Sequence, residues 1–332
     1  MGIFDKLFGR KKESENRPVV KRPSGGGSAP VPIGPGGFKF PPDASWRTLP
    51  GLLRVKRRRI AFLLYSGKPQ YRVFRIPKPN GGERVIHAPM PLLKHAQRRI
   101  LKNILDRVAL PDCAHGFRKG RSPRTNALPH AGMPMVIHMD IEDFFPTITF
   151  KRVRGMFQKL GFSYKQAVAL ASLTTADERL PQGAPTSPAI ANLISRRMDS
   201  RLAGLARKFG ATYTRYADDI TLSGDMEIRR LIPFVRKIAL AEGFRLREKK
   251  TRIMRDGRRQ IVTGVVVNDG ASLPRARRRW LRAVVHNVGL RGWDAGSRGL
   301  AGFKASVMGH LSYLASFHPD EAKRLKAKLP SM

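Results

Sequence analysis

Apolar residues follow two rhythms along this chain, a spacing of three to four and short near-continuous runs, and the alternation between them lays out the expected elements. From Leu49 to Leu64 apolar and basic residues mix at helical spacing. The segment YRVFRIPKPNGGERVIHAP then carries two runs of Val, Ile, Tyr and Phe joined by Pro-Asn-Gly-Gly, which predicts a β-hairpin. A helix is expected from Leu92 to Val108. MPMVIHMDIEDFF begins as a β-branched apolar strand and ends in carboxylates, the pattern of a buried strand whose polar end opens at a sheet edge. PQGAPTSP is excluded from a helix at its prolines; beyond it Ile190, Ile194, Met198, Leu202, Leu205 and Phe209 predict a long amphipathic helix. Thr212 to Ser223 reads as a second hairpin with Ala217, Asp218 and Asp219 around its turn. Helical spacing returns from Ile228 to Ala241, strands are expected from Phe244 to Met254 and from Gln260 to Val267, and helices fill the chain after Pro274. No repeat of fixed period is visible.

The stretch from Pro23 to Pro42 is dominated by Gly, Pro and Ser and is too poor in large apolar groups to order itself. Residues 1–45 are therefore read as a basic, Gly/Pro-rich tail. Ile3, Phe4, Leu7 and Phe8 share one side of a short N-terminal helix with Arg10, Lys11 and Lys12 behind them, but two turns bury little. In the whole chain of 332 residues 41% are hydrophobic, enough for a sizeable core. The 64 Lys and Arg against 24 Asp and Glu leave a formal charge of +40, spread along nearly the whole length, and such a field attracts polyanions, of which nucleic acid is the commonest. Cys113 is the single cysteine, which excludes an intramolecular disulfide and a thiolate metal cluster. No run approaches the roughly 18–20 apolar residues of a membrane span, and no secretory leader pattern opens the chain, so a cytoplasmic protein without stable membrane insertion is expected.

Against this acid-poor background three carboxylates stand out. Asp140 closes one expected strand, and Asp218 and Asp219 sit in the YADD hairpin. Uncompensated carboxylates at two strand ends are costly unless a cation gathers them. Hard oxygen donors suit Mg²⁺, and two such ions about 3.5–4 Å apart would activate a primer hydroxyl and stabilise leaving pyrophosphate in an in-line displacement. Taken alone, the two aspartates of YADD are also ordinary turn residues.

The ordered set IPKPNGGERVIHAP, MDIEDFF, LPQGAPTSPAIAN, YADD, LREKKTRI and VTG resembles a reverse transcriptase from about residue 50 onward. QGAPTSP together with the residues after YADD separates it from the diversity-generating type. The resemblance implies an α+β right-hand polymerase with an antiparallel palm sheet: fingers over 46–135, palm over 136–270 with a helical fingers insertion at about 149–180, and a helical thumb over 271–332. It implies Asp140, Asp218 and Asp219 as ligands of two Mg²⁺ ions. Lys78 and Arg84, expected on facing strands of the first hairpin, resemble the finger cations that hold the incoming dNTP triphosphate. Ile141, Asp143 and Phe144 correspond to the wall of the nucleotide pocket, and Phe145 to the steric gate that rejects a ribose 2′-hydroxyl. Strand register decides whether Phe144 or Phe145 faces the pocket. Gln182 and Gly183 resemble the turn under the templating pair. Lys250 resembles the proton donor to pyrophosphate, with Lys249 the alternative, and IVTGVVVND resembles the primer grip.

Two further patterns resemble the bacterial retron branch: Asn126, Ala127 and His130 in TNALPH, and Val262, Thr263 and Gly264 in the Val-Thr-Gly run. The first is expected to brace the fingers and nearby RNA without doing chemistry. Arg275, Arg277, Arg278, Arg279 and Arg282 crowd one thumb helix whose other side carries Trp280, Leu281, Val284, Val285 and Val288, so that phosphates of a template–primer duplex are expected on one face and a core on the other. A second thumb helix presents Phe303, Val307, Leu311, Leu314 and Phe317. The branch implies a structured noncoding RNA as template and primer, priming from the 2′-hydroxyl of an internal guanosine, a branched RNA–DNA hybrid as product, and an effector protein in phage defence. The rival readings are an abortive-infection or intron-type reverse transcriptase, an RNA-copying polymerase with the same palm, and a non-catalytic RNA-binding relict.

Overall fold

The computed structural model describes residues 44–78, 81–297 and 301–330. The N-terminal helix and linker expected before residue 44 lie outside the described residues, as do Pro79 and Asn80 at the tip of the first hairpin. The chain divides into two compact units, one formed by Met1–Ala109 with Val153–Ser187, the other by Leu110–Arg152 with Pro188–Met332.

In the first unit the expected helix over Leu49 to Leu64 is two helices, Leu49–Leu53 and Arg57–Tyr65, because Arg54 turns left-handed with φ 51° and closes the first of them. The hairpin forms as expected from strand β1 (Tyr71–Pro77) and strand β2 (Glu83–Pro89), in antiparallel register with Ile76 opposite Arg84. Lys78 falls one residue beyond β1, its N–H donating to the Gly82 carbonyl at 2.9 Å, so it belongs to the hairpin turn and not to a facing strand. The helix Pro91–Asn103 buries Leu93, Ala96 and Ile100, and gives way to a 3-10 turn at Leu105–Arg107. Gln97 is fully buried on that helix, and its amide donates to the Tyr71 hydroxyl at 2.8 Å and the Leu173 carbonyl at 2.9 Å, which ties the hairpin to the helix Tyr164–Thr174.

The second unit is built on a four-stranded antiparallel sheet in the order β4 (Thr212–Tyr216), β5 (Asp219–Gly224), β3 (Met135–Asp140), β6 (Arg252–Arg255). The apolar run of MVIHMD explains the central position of β3, which has Met135, Val136, Ile137 and Met139 buried between neighbours on both sides. The single long strand expected from Phe244 to Met254 is interrupted: Arg245–Arg247 bonds to the backbone of Asp140–Glu142, Glu248–Lys250 is a 3-10 turn, and β6 resumes the pairing with β3. Gln260 to Val267 is likewise shorter than expected, a hairpin of β7 (Ile261–Val262) and β8 (Val265–Val266) joined by Thr263 and Gly264. Both turn residues have positive φ, 46° and 78°, the backbone that a two-residue hairpin turn requires.

The long helix runs from Ser187 to Lys208 and includes Pro188 in its first turn, where a missing N–H breaks no helical hydrogen bond. Phe209, expected on its apolar face, lies past its end and is 52% exposed. Polar Asn192, Ser195 and Asp199 are buried on the helix beside Ile190, Met198 and Leu202. Ile228 to Ala241 is a 3-10 segment, Met226–Leu231, followed by the helix Ile232–Ala241 with Pro233 in its first turn. C-terminally, the helices Arg275–Ser297, kinked at Gly292, Phe303–Ala315 and Pro319–Lys326 enclose a core of Leu281, Val285, Val307, Leu311, Leu314 and Leu325. The mixed helix and antiparallel sheet agree with the α+β class expected from the sequence.

Candidate active site

The antiparallel register sets Asp140, the last residue of β3, opposite Asp219, the first residue of β5. Directly opposed residues of such a pair have Cα atoms about 4.5–5.5 Å apart. Asp218 precedes Asp219 in the β4–β5 turn, and its carbonyl accepts from the Ile141 N–H at 2.9 Å, so the backbone ties the two acidic segments together. Burial, then the charges of Asp219 and Asp140, hold the Asp218 carboxyl above the usual carboxylate range.

Basic side chains answer this acid. The Lys250 ammonium lies 2.9 Å from Asp140 Oδ2, and of the two candidate lysines it is Lys250 that reaches the carboxylate. Arg247 spans Asp140 Oδ1 and Asp143 Oδ1, both at 3.7 Å, a role the sequence reading missed. His138 Nε2 sits 3.2 Å from Asp219 Oδ1, because residues two apart on β3 share a face. Among the described residues no three His, Cys, Asp or Glu side chains form a ready metal cluster. The backbone thus sets Asp140 opposite Asp219 with Asp218 adjacent, while Lys250, Arg247 and His138 pair with the carboxylate oxygens of Asp140 and Asp219. The donor set still fits a hard divalent cation: Mg²⁺ takes only one or two carboxylates and completes its shell with water and phosphate, and burial with two neighbouring carboxylates raises the Asp218 pKa even with the Lys250 charge lowering it.

The register question after Asp140 resolves on burial. Phe144 points into the core against Phe244, ring centroids 5.7 Å apart, with the Arg215 guanidinium 5.8 Å from its ring. Phe145 is half-exposed and meets the exposed Phe117. Of the two, Phe145 is the one open to a ligand. Asp143 has φ 42°, a left-handed backbone, and Ile141 is buried.

In the first unit, Gln182 and Gly183 lie against β2. The His87 N–H donates to the Gln182 carbonyl at 2.8 Å, and a Cβ on Gly183 (φ 118°) would come within 2.9 Å of Ile86 Cγ2. The PQG turn and the hairpin carrying Arg84 therefore form one local assembly.

Sequence reasoning also missed a buried network beneath the YADD turn. Arg215 and Asp199 are fully buried and paired through two bonds, Nε to Oδ1 at 2.8 Å and Nη2 to Oδ2 at 2.7 Å. Tyr213 donates to Asp199 Oδ1 at 2.8 Å. Arg215 Nη1 reaches Asn192 Oδ1 at 3.1 Å and the Ala217 carbonyl at 2.9 Å, and the Asn192 amide donates to the Gly116 carbonyl at 2.9 Å. The available signal was Asn192 and Asp199, seven residues apart among the apolar positions of one long helix.

The two retron-like patterns meet in one place. Asn126 approaches the Thr263 hydroxyl at 3.5 Å, that hydroxyl donates to the Pro123 carbonyl at 3.2 Å, and Ala127 packs with Val262, Val265 and Val267. His130 is buried between Ser223 at 2.6 Å and Thr214 at 2.7 Å, so it braces β4 and β5 of the central sheet, where bracing of the fingers was expected. Burial lowers its pKa to about 3. On the thumb-like helix Glu321 pairs with the partly buried Arg278 at 2.6 Å and with the exposed Arg282 at 3.6 Å, while Arg275 and Arg279 are exposed. Trp280, expected on the inner face, is 46% exposed and stands edge-on to His310.

An acidic pair on adjacent strand ends, with basic neighbours and the half-exposed Phe145 five residues along the chain from Asp140, lies at one end of the antiparallel sheet. Residues 76–281 match the family described as reverse transcriptase (RNA-dependent DNA polymerase), and the chain belongs to that family. Its fold is accordingly the right-hand polymerase class expected from the sequence. Similar relatives are the retron Mx65 reverse transcriptase of Myxococcus xanthus, 42% identical over 77% of this chain and 63% of that one, and the retron Mx162 reverse transcriptase of the same organism, 41% identical over 64% and 51%. The retron Ec86 reverse transcriptase of Escherichia coli is 35% identical over 71% of this chain and 75% of that one. These relatives put the chain in the bacterial retron branch. It spans less than two thirds of the length of the two Myxococcus relatives. No helix among the described residues is long and apolar enough to cross a membrane.

Proposed function

We propose that this protein is an RNA-directed DNA polymerase of the retron type, which copies a structured noncoding RNA into DNA from dNTPs, starting at the 2′-hydroxyl of an internal guanosine to give a branched RNA–DNA hybrid. In this reading it works in the cytoplasm with an effector protein in phage defence. The observation that carries it is the register pair Asp140 and Asp219 with Asp218 beside them, in a chain whose relatives are named retron reverse transcriptases.

Asp140, Asp218 and Asp219 would hold two Mg²⁺ ions, which supply charge neutralisation at the entering and leaving oxygens of phosphoryl transfer. The chain's own groups do the rest. Lys250, already within hydrogen-bond reach of Asp140, is the group with a proton for departing pyrophosphate. Arg247 steadies Asp140 and Asp143. Lys78 and Arg84 serve the triphosphate, Gln182 and Gly183 the templating pair, and Ile141, Asp143 and Phe144 wall the nucleotide pocket by backbone groups. Phe145 excludes a 2′-hydroxyl. Arg275 and Arg279, with Arg278 and Arg282 where Glu321 leaves donors over, meet RNA or hybrid phosphates. Asn126, Ala127, His130, Val262, Thr263 and Gly264 keep the sheet and its small hairpin in register for that RNA.

The test is primer extension on an RNA template with Mg²⁺, wild type beside Asp218→Ala, together with sequencing of the nucleic acid that co-purifies from cells. Extension by the wild type, none by the variant with RNA binding retained, and DNA joined to RNA by a 2′,5′ branch are expected. A variant that extends at the normal rate removes the carboxylate assignment, and linear DNA alone removes the branched product.

A further inference from the structure

We propose that Arg215 is a positioning residue for the acidic turn: its guanidinium, fixed by Asp199 and Asn192, holds the Ala217 carbonyl and thereby directs Asp218 and Asp219. The inference rests on the proposed role of those carboxylates.

A buried ion pair alone is a poor reason for an arginine, since apolar residues of similar volume stabilise a core as well or better. What distinguishes Arg215 is where its remaining donors go. Asp199 takes Nε and Nη2, and Nη1 is shared by Asn192 Oδ1 and the Ala217 carbonyl two residues along the chain. A lysine has no fork that could meet both ends at once. Ala217 has φ 59°, a left-handed conformation disfavoured for a residue with a Cβ, and such conformations persist where surrounding bonds over-determine them.

The turn is fixed from its other side as well. The Arg215 N–H donates to the Cys113 carbonyl and the Arg215 carbonyl accepts from the His115 N–H, both at 2.8 Å, so the segment leading to Gly116 runs along β4. Gly116 then passes so close beneath the turn that a Cβ there would lie 2.3 Å from the Ala217 nitrogen. Asn192 joins the two fixtures, accepting from Arg215 and donating to the Gly116 carbonyl. Ala217 is thus held by its carbonyl and by backbone contact, and the next two residues are the carboxylates.

Arg215→Lys keeps the buried charge opposite Asp199 and removes the fork. Measured beside the wild type are the thermal midpoint, dNTP KM, the turnover number for single-nucleotide incorporation on an RNA template with Mg²⁺, and Mn²⁺ affinity by electron paramagnetic resonance. The expected result is an unchanged KM, turnover lower by about 100-fold, the order of loss from a misplacement of about 1 Å, and Mn²⁺ bound about tenfold more weakly. A folded Arg215→Lys protein with wild-type turnover and Mn²⁺ affinity overturns the proposal. Should that variant not fold, Asn192→Ser, which keeps the Arg215–Asp199 pair and drops the amide bonds, is judged by the same two outcomes. Asp218→Asn is the control: if it binds Mn²⁺ and extends primers like the wild type, the carboxylate reading fails, whereas an inert Asp218→Asn beside an unaffected Arg215→Lys sinks only the positioning role.

Discussion

Adding one methyl group at Gly116 separates damage to the acidic turn from damage to the fold. The new Cβ would meet the Ala217 nitrogen at 2.3 Å, the Tyr216 carbonyl carbon at 3.0 Å and the Ala217 Cα at 3.2 Å, all backbone atoms that no rotamer change can move aside. Ordinary contacts between such atoms fall at about 3.5 Å, so the turn or the Gly116 segment must retreat by about 1 Å. Gly116 is anchored through its carbonyl to Asn192, while Ala217 and Asp218 stand at the hairpin tip, so much of the displacement is expected in the acidic turn. A shift of that size costs on the order of 100-fold in rate, about 2.7 kcal/mol of barrier, and overpacking costs about 1–3 kcal/mol of stability. Rapid-quench incorporation of one dNTP on an RNA template, with melting followed by circular dichroism, measures both. Gly116→Ala is expected to fold, melt several degrees lower and lose turnover with dNTP KM little changed. A folded variant that incorporates within about threefold of the wild-type rate would refute the claim that Gly116 sets the position of the turn.

Three other outcomes follow from the same geometry. Because burial and neighbouring carboxylates raise the Asp218 pKa above its unfolded value, the cost in stability builds as pH rises from the unfolded value of about 4 to the raised one and is complete above it; without divalent ions Asp218→Asn should melt above the wild type at pH 7, the gap closing as pH falls from the raised value to about 4, and equal melting across that range would contradict the assignment. His130 behaves in the opposite sense: its pKa is pushed down to about 3 by burial, so its contribution is full above the unfolded value near 6.5 and is lost as pH falls, at up to about 1.4 kcal/mol per pH unit. Denaturant melts of His130→Gln between pH 7 and pH 4 should show a flatter pH dependence than wild type, and parallel curves would remove the buried-neutral account. Phe145→Ala should lower discrimination against ribonucleotides by about tenfold or more in single-nucleotide incorporation, whereas unchanged discrimination would transfer the gate to another group.

Local chemistry alone was enough to locate most elements and the acidic residues. The hairpin over Tyr71–Pro77 and Glu83–Pro89, strand β3 with Asp140 at its end, and the YADD hairpin are legible because period-two or continuous apolar runs end in turn residues, a property of a few neighbouring side chains. Tertiary packing decided what periodicity leaves open. Which of Phe144 and Phe145 faces outward, and which of Lys249 and Lys250 reaches Asp140, depend on the 3-10 turn at Glu248–Lys250 and on the Phe244 ring, both more than a hundred residues distant from Asp140 in sequence. The expected strand over Phe244 to Met254 is broken by the 3-10 turn at Glu248–Lys250, which separates the pairing of Arg252–Arg255 with β3 from the bonds of Arg245–Arg247 to Asp140–Glu142. The only trace of the Arg215–Asp199–Asn192 network in the sequence is the pair of polar residues among the apolar positions of one helix, and their partner Arg215 is recognisable only once the fold assembles it against them. Sequence thus determined which chemical groups the protein owns and the strands that bear them; the folded packing determined which of those groups touch, because contact between residues far apart in the chain is set by how the elements pack, not by local preference.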